Sequence, residues 1–330
     1  MLSIRLSLVL LFLTLFSCQK DGELDTSQPS PPANCTEVSD TLECEEFPML
    51  GITWFSDSRF QYEKPFFNPE NNCEFVYGYK DYEKGEFKLM KFNLVTCEKE
   101  VIVDQVRLLN QPEWGRSGWI AFDNQFNYML WRVNSNGNSL SPVFQETNNL
   151  YPVWSDSGDK LYWQHTPSLG VPYYFLQLDI IDQEIDTLIN SSGDYVGSTS
   201  KSDISGDNKL ITRTAIDGEN QIGFSPLDNI EFVPLVNLVE NDLASLTGLC
   251  WSNTGDKAYF TEALRGLYEL EVPSGEHTQL IDFCDNFSYE SISCSEDGTQ
   301  LIAERVDREL ITLENGNYSG EIRQTSSIVL

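Results

Sequence analysis

The chain has 330 residues, 40% hydrophobic and 12% aromatic, which is enough apolar surface for a packed core and excludes wholesale disorder. Its 51 Asp and Glu against 21 Lys and Arg leave a formal net charge of −30, which repels phosphate backbones and anionic headgroups and argues against a nucleic-acid ligand. Cationic partners are electrostatically easier, although scattered acids also serve simply to keep an exported protein soluble.

In chain order, the first element is MLSIRLSLVLLFLTLFSC. Arg5 precedes an apolar run from Leu6 to Phe16 whose only polar members are Ser7 and Thr14. That run is shorter than the ~20 residues a membrane-spanning helix needs, so residues 1–17 read as a secretion signal. Leu15-Phe16-Ser17-Cys18 resembles a bacterial lipobox, which implies diacylation of Cys18. Gln19 follows the cysteine, and Lys20-Asp21-Gly22-Glu23 resembles the tether that sends some Gram-negative lipoproteins to the outer face. The expected location is the outer membrane, lipid-anchored and surface-exposed. Residues 18–46 form the tether, with Ser27–Pro32 as a semi-extended proline-rich spacer.

Seven cysteines remain after Cys18. Export into an oxidising space makes disulfides expected, and proximity in sequence suggests Cys35–Cys44, Cys73–Cys97 and Cys284–Cys294. Connectivity cannot be deduced from spacing. Cys250, beside Trp251 in an apolar run, is left as a buried thiol. There is no Cys-x-x-Cys pair, and the two histidines, His165 and His277, are far apart, so no metal site and no cofactor is expected.

The rest of the chain repeats one phrase. YPVWSDSGDKLYW at 151–163 returns as GLCWSNTGDKAYF at 248–260, as QPEWGRSGWIAF at 111–122 and as SISCSEDGTQLIA at 291–303. Weaker copies start at Ser202 and Pro65. Taking Phe67, Trp114, Trp154, Ile204, Trp251 and Cys294 as equivalent gives steps of 47, 40, 50, 47 and 43 residues, the length of a four-stranded propeller blade. Each unit reads strand A, polar turn, strand B, loop, strand C, tight turn, strand D. The Ser-x-x-Gly turn supplies a residue that tolerates positive φ and a hydroxyl that bonds back to the backbone.

The pattern Pro-x-Trp-Ser-x-x-Gly-x-Lys-Leu-x-Trp/Phe resembles the blade signature of TolB-type, WD-repeat-like propellers. The resemblance covers Pro65 to the C-terminus and implies an all-β fold: a six-bladed β-propeller of four-stranded antiparallel blades over residues 47–330, with strand A lining the channel. Two closures stay open, one with Tyr318–Arg323 as the last outer strand and one with Gly51–Phe55 returning to complete that blade; seven blades, with an extra one near Ile52–Phe60, is the alternative.

No Gly-x-Ser-x-Gly elbow or nucleophile–histidine pairing is legible, so no catalytic residue is assigned. Acids at the A–B turns, such as Asp159 and Asp256, are explained by turn chemistry. In propellers the B–C and D–A loops share one face. The long aromatic loops there carry His165, Tyr173 and Tyr174, then Asp194 and Tyr195, then Asp285, Phe287 and Tyr289, and these are the candidate ligand-face residues. Trp114, Trp154 and Trp251 are expected to pack between blades. The expected function is a monomeric binding scaffold in the bacterial envelope, with an envelope or extracellular protein as partner; the alternatives are a glycan-binding surface lipoprotein and a propeller carbohydrate-active enzyme.

Overall fold

The computed structural model describes residues 61–312 and 318–329, apart from 97, 169–172, 195, 199, 217–218, 242, 244–245, 253, 263–265 and 282–286, together with 36–37 and 53–55; side chains are described for 61–306 except 216 and 287. Two short strands come first, β1 (Thr36–Glu37) and β2 (Thr53–Phe55). Five four-stranded antiparallel sheets follow in chain order.

Blade I holds β3 (Gln61–Asn68), β4 (Asn71–Asp81), β5 (Glu86–Asn93) and β6 (Lys99–Asp104). Blade II holds β7 (Glu113–Trp114), β8 (Trp119–Asn124), β9 (Met129–Asn134) and β10 (Ser141–Pro142). Blade III holds β11 (Asn149–Trp154), β12 (Lys160–His165), β13 (Tyr174–Asp179) and β14 (Ile185–Thr187). Blade IV holds β15 (Asp203–Ile204), β16 (Lys209–Ile216), β17 (Glu219–Pro226) and β18 (Val233–Asn237). Blade V holds β19 (Leu246–Trp251), β20 (Lys257–Glu262), β21 (Gly266–Glu271) and β22 (His277–Ile281).

The expectation of six equivalent blades is corrected here. Five sheets have the repeating four-stranded form. The C-terminal sheet has five strands in the order β1, β2, β25, β24, β23, with β23 (Phe287–Cys294), β24 (Leu301–Thr312) and β25 (Tyr318–Val329). β24 and β25 form a long hairpin, and β2 pairs the far end of β25, Trp54 opposite Val329 and Phe55 opposite Ile328. The two closures read from sequence therefore occur together, because an uncovered β25 edge would leave its backbone groups unpaired. The segment offered as a seventh blade belongs to this sheet through Thr53–Phe55.

Alternation along the strands puts apolar side chains on both faces of each sheet, and neighbouring sheets bury them against each other. Val76 and Leu89 of blade I pack with Trp114 and Ile120 of blade II. Ile211 and Phe224 of blade IV pack with Trp251 and Phe260 of blade V. Ile302 of the C-terminal sheet is fully buried among Tyr62, Phe67 and Phe75 of blade I. The core is thus a series of seams between sheets rather than one central mass.

The A–B turns have one chemistry. In blade III the Lys160 amide donates to Ser155 Oγ at 3.0 Å, Ser155 Oγ donates to Asp159 at 2.8 Å, and Gly158 has φ 71°. Blade V repeats it with Ser252, Asp256, Lys257 and Gly255. In blade IV the left-handed position is filled by Asn208, φ 59°, a residue that tolerates this region better than most. These contacts hold the Asp159 and Asp256 carboxyls below their usual range, chiefly through the hydroxyls of Ser157 and Thr254.

Candidate functional site

The inner strands are joined edge to edge by one recurring contact. Trp154 Nε1 donates to the carbonyl of Glu113 in blade II at 3.2 Å, and Trp251 Nε1 donates to the carbonyl of Asp203 in blade IV at 3.2 Å. In both, the signature tryptophan reaches the residue just before the signature position of the preceding blade. The seam between blade V and the C-terminal sheet uses the same two positions but a different bond: Cys294 forms a disulfide with Cys250, Cα–Cα 6.0 Å. This overturns the Cys284–Cys294 pairing and the reading of Cys250 as a thiol. Proximity in sequence favoured Cys284, but the fold brings the signature positions of adjacent sheets side by side. Cys73 is disulfide-bonded, whereas Cys97, Cys35, Cys44 and Cys284 lie outside the described residues.

Nearer the loop face, three inner strands carry a bulge whose non-glycine residue has positive φ: Lys64 (54°), Tyr151 (52°) and Ser291 (49°). Polar side chains hold them, from the second strands for Tyr151 and Lys64 and from the segment before β7 for Ser291. Asp123, fully buried, accepts from the Tyr151 amide at 3.1 Å and from Asn110 N and Nδ2 at 2.7 Å each. Glu304 accepts from the Lys64 amide at 3.1 Å, a contact 240 positions apart. Gln111 donates to the carbonyls of Pro65, Ser291 and Ile292. Burial pushes the Asp123 carboxyl up, against hydrogen bonds from Asn110 and Tyr151 that favour its charge.

At the opposite end, between the A–B turns, lies a cavity of about 110 Å³. The indoles of Trp114, Trp154 and Trp251 and the rings of Phe66 and Phe67 line it, with Glu113 and Asp203 in the wall. Gly115 lies against the Trp154 indole so closely that a Cβ would stand 2.7 Å from Cδ2. Arg116 crosses the mouth: Nε reaches Asp156 at 3.1 Å, Nη1 reaches Glu70 at 3.2 Å and Nη2 pairs with Glu296, which ties the turns of four sheets. Behind Phe66, the buried Lys201 ammonium is ion-paired with Glu113 and sits 5.3 Å over the Phe66 ring. Burial pulls Lys201 down to about 8, opposed by the charge of Asp203.

Of the sequence candidates that the structure describes, His165 meets Tyr174. His165 is packed away, 2% exposed, with Nδ1 2.9 Å from Asn149 Oδ1 and its ring edge-on to Phe144 and Tyr174, each at 5.5 Å. Burial holds its imidazole below the ordinary value, against the pull of Glu146. Tyr173 and Tyr174 are half-buried, Asp194 is exposed in a turn bonded to Asn190 Oδ1 at 2.8 Å, and Tyr289 is buried in the seam with blade V. Tyr195 and Asp285 lie outside the described residues, as does the side chain of Phe287.

The loop face carries a different cluster, on blades I and II. Tyr82 (54% exposed) and Phe126 (57%) each meet Phe87 edge-on at 5.7 Å. The Arg107 guanidinium lies over the Tyr82 and Phe87 rings at 5.8 and 5.5 Å. Among the described residues Arg107 has no carboxylate partner, and its buried Nε has no acceptor. Tyr128, 46% exposed and at φ 55°, lies in the same blade II loop. Tyr82, Phe126 and Tyr128 sit in short turns, Phe87 lies near the start of β5 and Arg107 lies between β6 and β7, so loop length alone does not point to them.

No family model and no curated protein matches the chain. Solved structures do share its fold. TolB from Acinetobacter baumannii is similar at a TM-score of 0.55, with 12% identity over 82% of this chain and 63% of that one. A nidogen/laminin complex is similar at 0.52, with 11% identity over 66% and 78%. An oligogalacturonate lyase in complex with manganese is similar at 0.51, with 11% identity over 81% and 79%. At these identities the likeness is one of propeller fold alone.

Proposed function

We propose that the chain is an envelope lipoprotein, anchored through Cys18, whose propeller is a binding scaffold that engages a protein partner through the loop face of blades I and II. The observation that carries this reading is Arg107, a guanidinium without an acid partner among the described residues, stacked over the exposed Tyr82 ring and the half-buried Phe87 ring, which Phe126 also meets. Tyr, Phe and Arg are the residue types enriched at the centres of protein interfaces. The same exposed rings favour a second reading, a glycan laid against them.

An Arg107→Ala, Phe126→Ala double variant is expected to lose at least ten-fold in capture of its envelope partner while melting at the parent temperature. Capture unchanged in that variant refutes the assignment of this face; retention on a glycan array that is lost in the variant favours the second reading. Cys18→Ser is expected to move the protein out of the membrane fraction, and unchanged membrane retention removes the anchor.

A further inference from the structure

We propose that the cavity between the A–B turns is a receptor for a single organic ammonium group. Its size sets the first limit. About 110 Å³ holds more than the ~30 Å³ of one water, yet falls well below the ~300–1,000 Å³ of pockets that take whole sugars or drug-sized molecules. What fits is a headgroup or the tip of a side chain.

Chemistry sets the second. The wall is aromatic, with three indoles and two phenyl rings from the inner strands of blades I, II, III and V. Aromatic faces attract cations through their quadrupole, most strongly where water is excluded. Four carboxylates, Glu113, Asp156, Asp203 and Glu296, also line the cavity, and Arg116 is the cation that faces them there. With the Lys201 ammonium counted behind Phe66, the negative charges still outnumber the positive by two. An anion meets net repulsion there, although each carboxylate already has a partner: Lys201 for Glu113, Arg116 for Asp156 and Glu296, and the Trp251 and Ile204 amides for Asp203.

The chain supplies two internal examples of the ligand type. Lys201 places its ammonium over the Phe66 ring, and Arg116 places a guanidinium among the mouth carboxylates. Arg116 is 28% exposed and held from surface turns, so it can swing out and admit a second cation. The group that enters is either a free small amine or a lysine side chain of a partner; both present a cationic nitrogen.

Calorimetry and tryptophan fluorescence on the full chain test this with choline, its neutral isostere 3,3-dimethylbutan-1-ol, Nα-acetyl-lysine amide and calcium chloride. Choline or the lysine amide should bind at one site and shift the indole emission, with the neutral isostere weaker by about 30-fold, the value of a desolvated cation–π contact. Tighter binding of choline points to a free amine, and tighter binding of the lysine amide to a partner's side chain. Arg116→Gln, with its melting temperature checked because it gives up three ion pairs, should strengthen ammonium binding several-fold by removing the resident cation. Equal affinity for choline and the isostere, calcium binding without ammonium binding, no binding by either ammonium, or weaker ammonium binding in Arg116→Gln each overturns the proposal.

Discussion

Single residues decide how the inner strands are held. Asp123 satisfies three donors at zero exposure, so truncation strands all three. Asp123→Ala is expected to cost roughly 2–4 kcal/mol, and Asp123→Asn clearly less, read from urea midpoints at constant m. The A–B turn acids set the acid limb. Hydrogen bonds from Ser157 and Ser155 depress the Asp159 carboxyl in the fold, so its stabilisation is complete above the unfolded value near ~3.9 and is lost as pH falls through the lower folded one. Asp159→Asn should therefore flatten the loss of stability below about pH 4, measured by thermal melts across pH. Asp123 and Asp203 act with the opposite sign: burial raises both, so the folded state takes up a proton more readily than the unfolded chain and acidification favours it.

At the scale of the strand and turn, much was legible. The Ser-x-x-Gly spacing identified the A–B turns, including the copy where Asn208 replaces glycine. The role of Trp154 and Trp251 as packing between blades was readable from their period, while their hydrogen bonds to carbonyls were not, because a donor's partner depends on how adjacent sheets are offset. The disulfide was within reach: Cys294 stands at the signature position, and Cys250 one place before it, the same offset that links Trp154 to Glu113. Proximity in sequence obscured that alignment. Removing the bond in Cys250→Ala, Cys294→Ala is expected to cost about 4 kcal/mol on loop-closure grounds for its 44-residue separation, measured by denaturant midpoint under oxidising conditions. Gly115→Ala should displace the Trp154 indole, since the added carbon meets it at 2.7 Å, and the change would be visible as a shift in tryptophan emission.

For the molecule as a whole, the sequence repeat was sufficient for the propeller class but not for its closure. A degenerate first copy and an aperiodic N-terminal strand left no phrase to align, so the five-stranded C-terminal sheet emerged only with the structure. Contacts between that sheet and blade I, Glu304 to the Lys64 amide and Ser293 Oγ to the Phe67 amide at 3.2 Å, join the two ends of the fold. Glu304→Ala is expected to raise amide hydrogen exchange in β3 ahead of every other inner strand, although the two sites are 240 positions apart. Exchange rising uniformly across the fold would show that no seam opens on its own. The candidate site was the least legible level, because side chains converge there from turns that share no motif.

The sulphur bridge at the blade V seam makes one joint of the fold sensitive to the redox state of its surroundings. Where the adjoining seam of blades IV and V uses an indole N–H, this seam relies on electrons having been removed, so its strength depends on the redox poise of the surroundings. Under reducing conditions this joint would come unfastened, as would the bond at Cys73. Oxidised and reduced material would share a sequence while differing in heat tolerance.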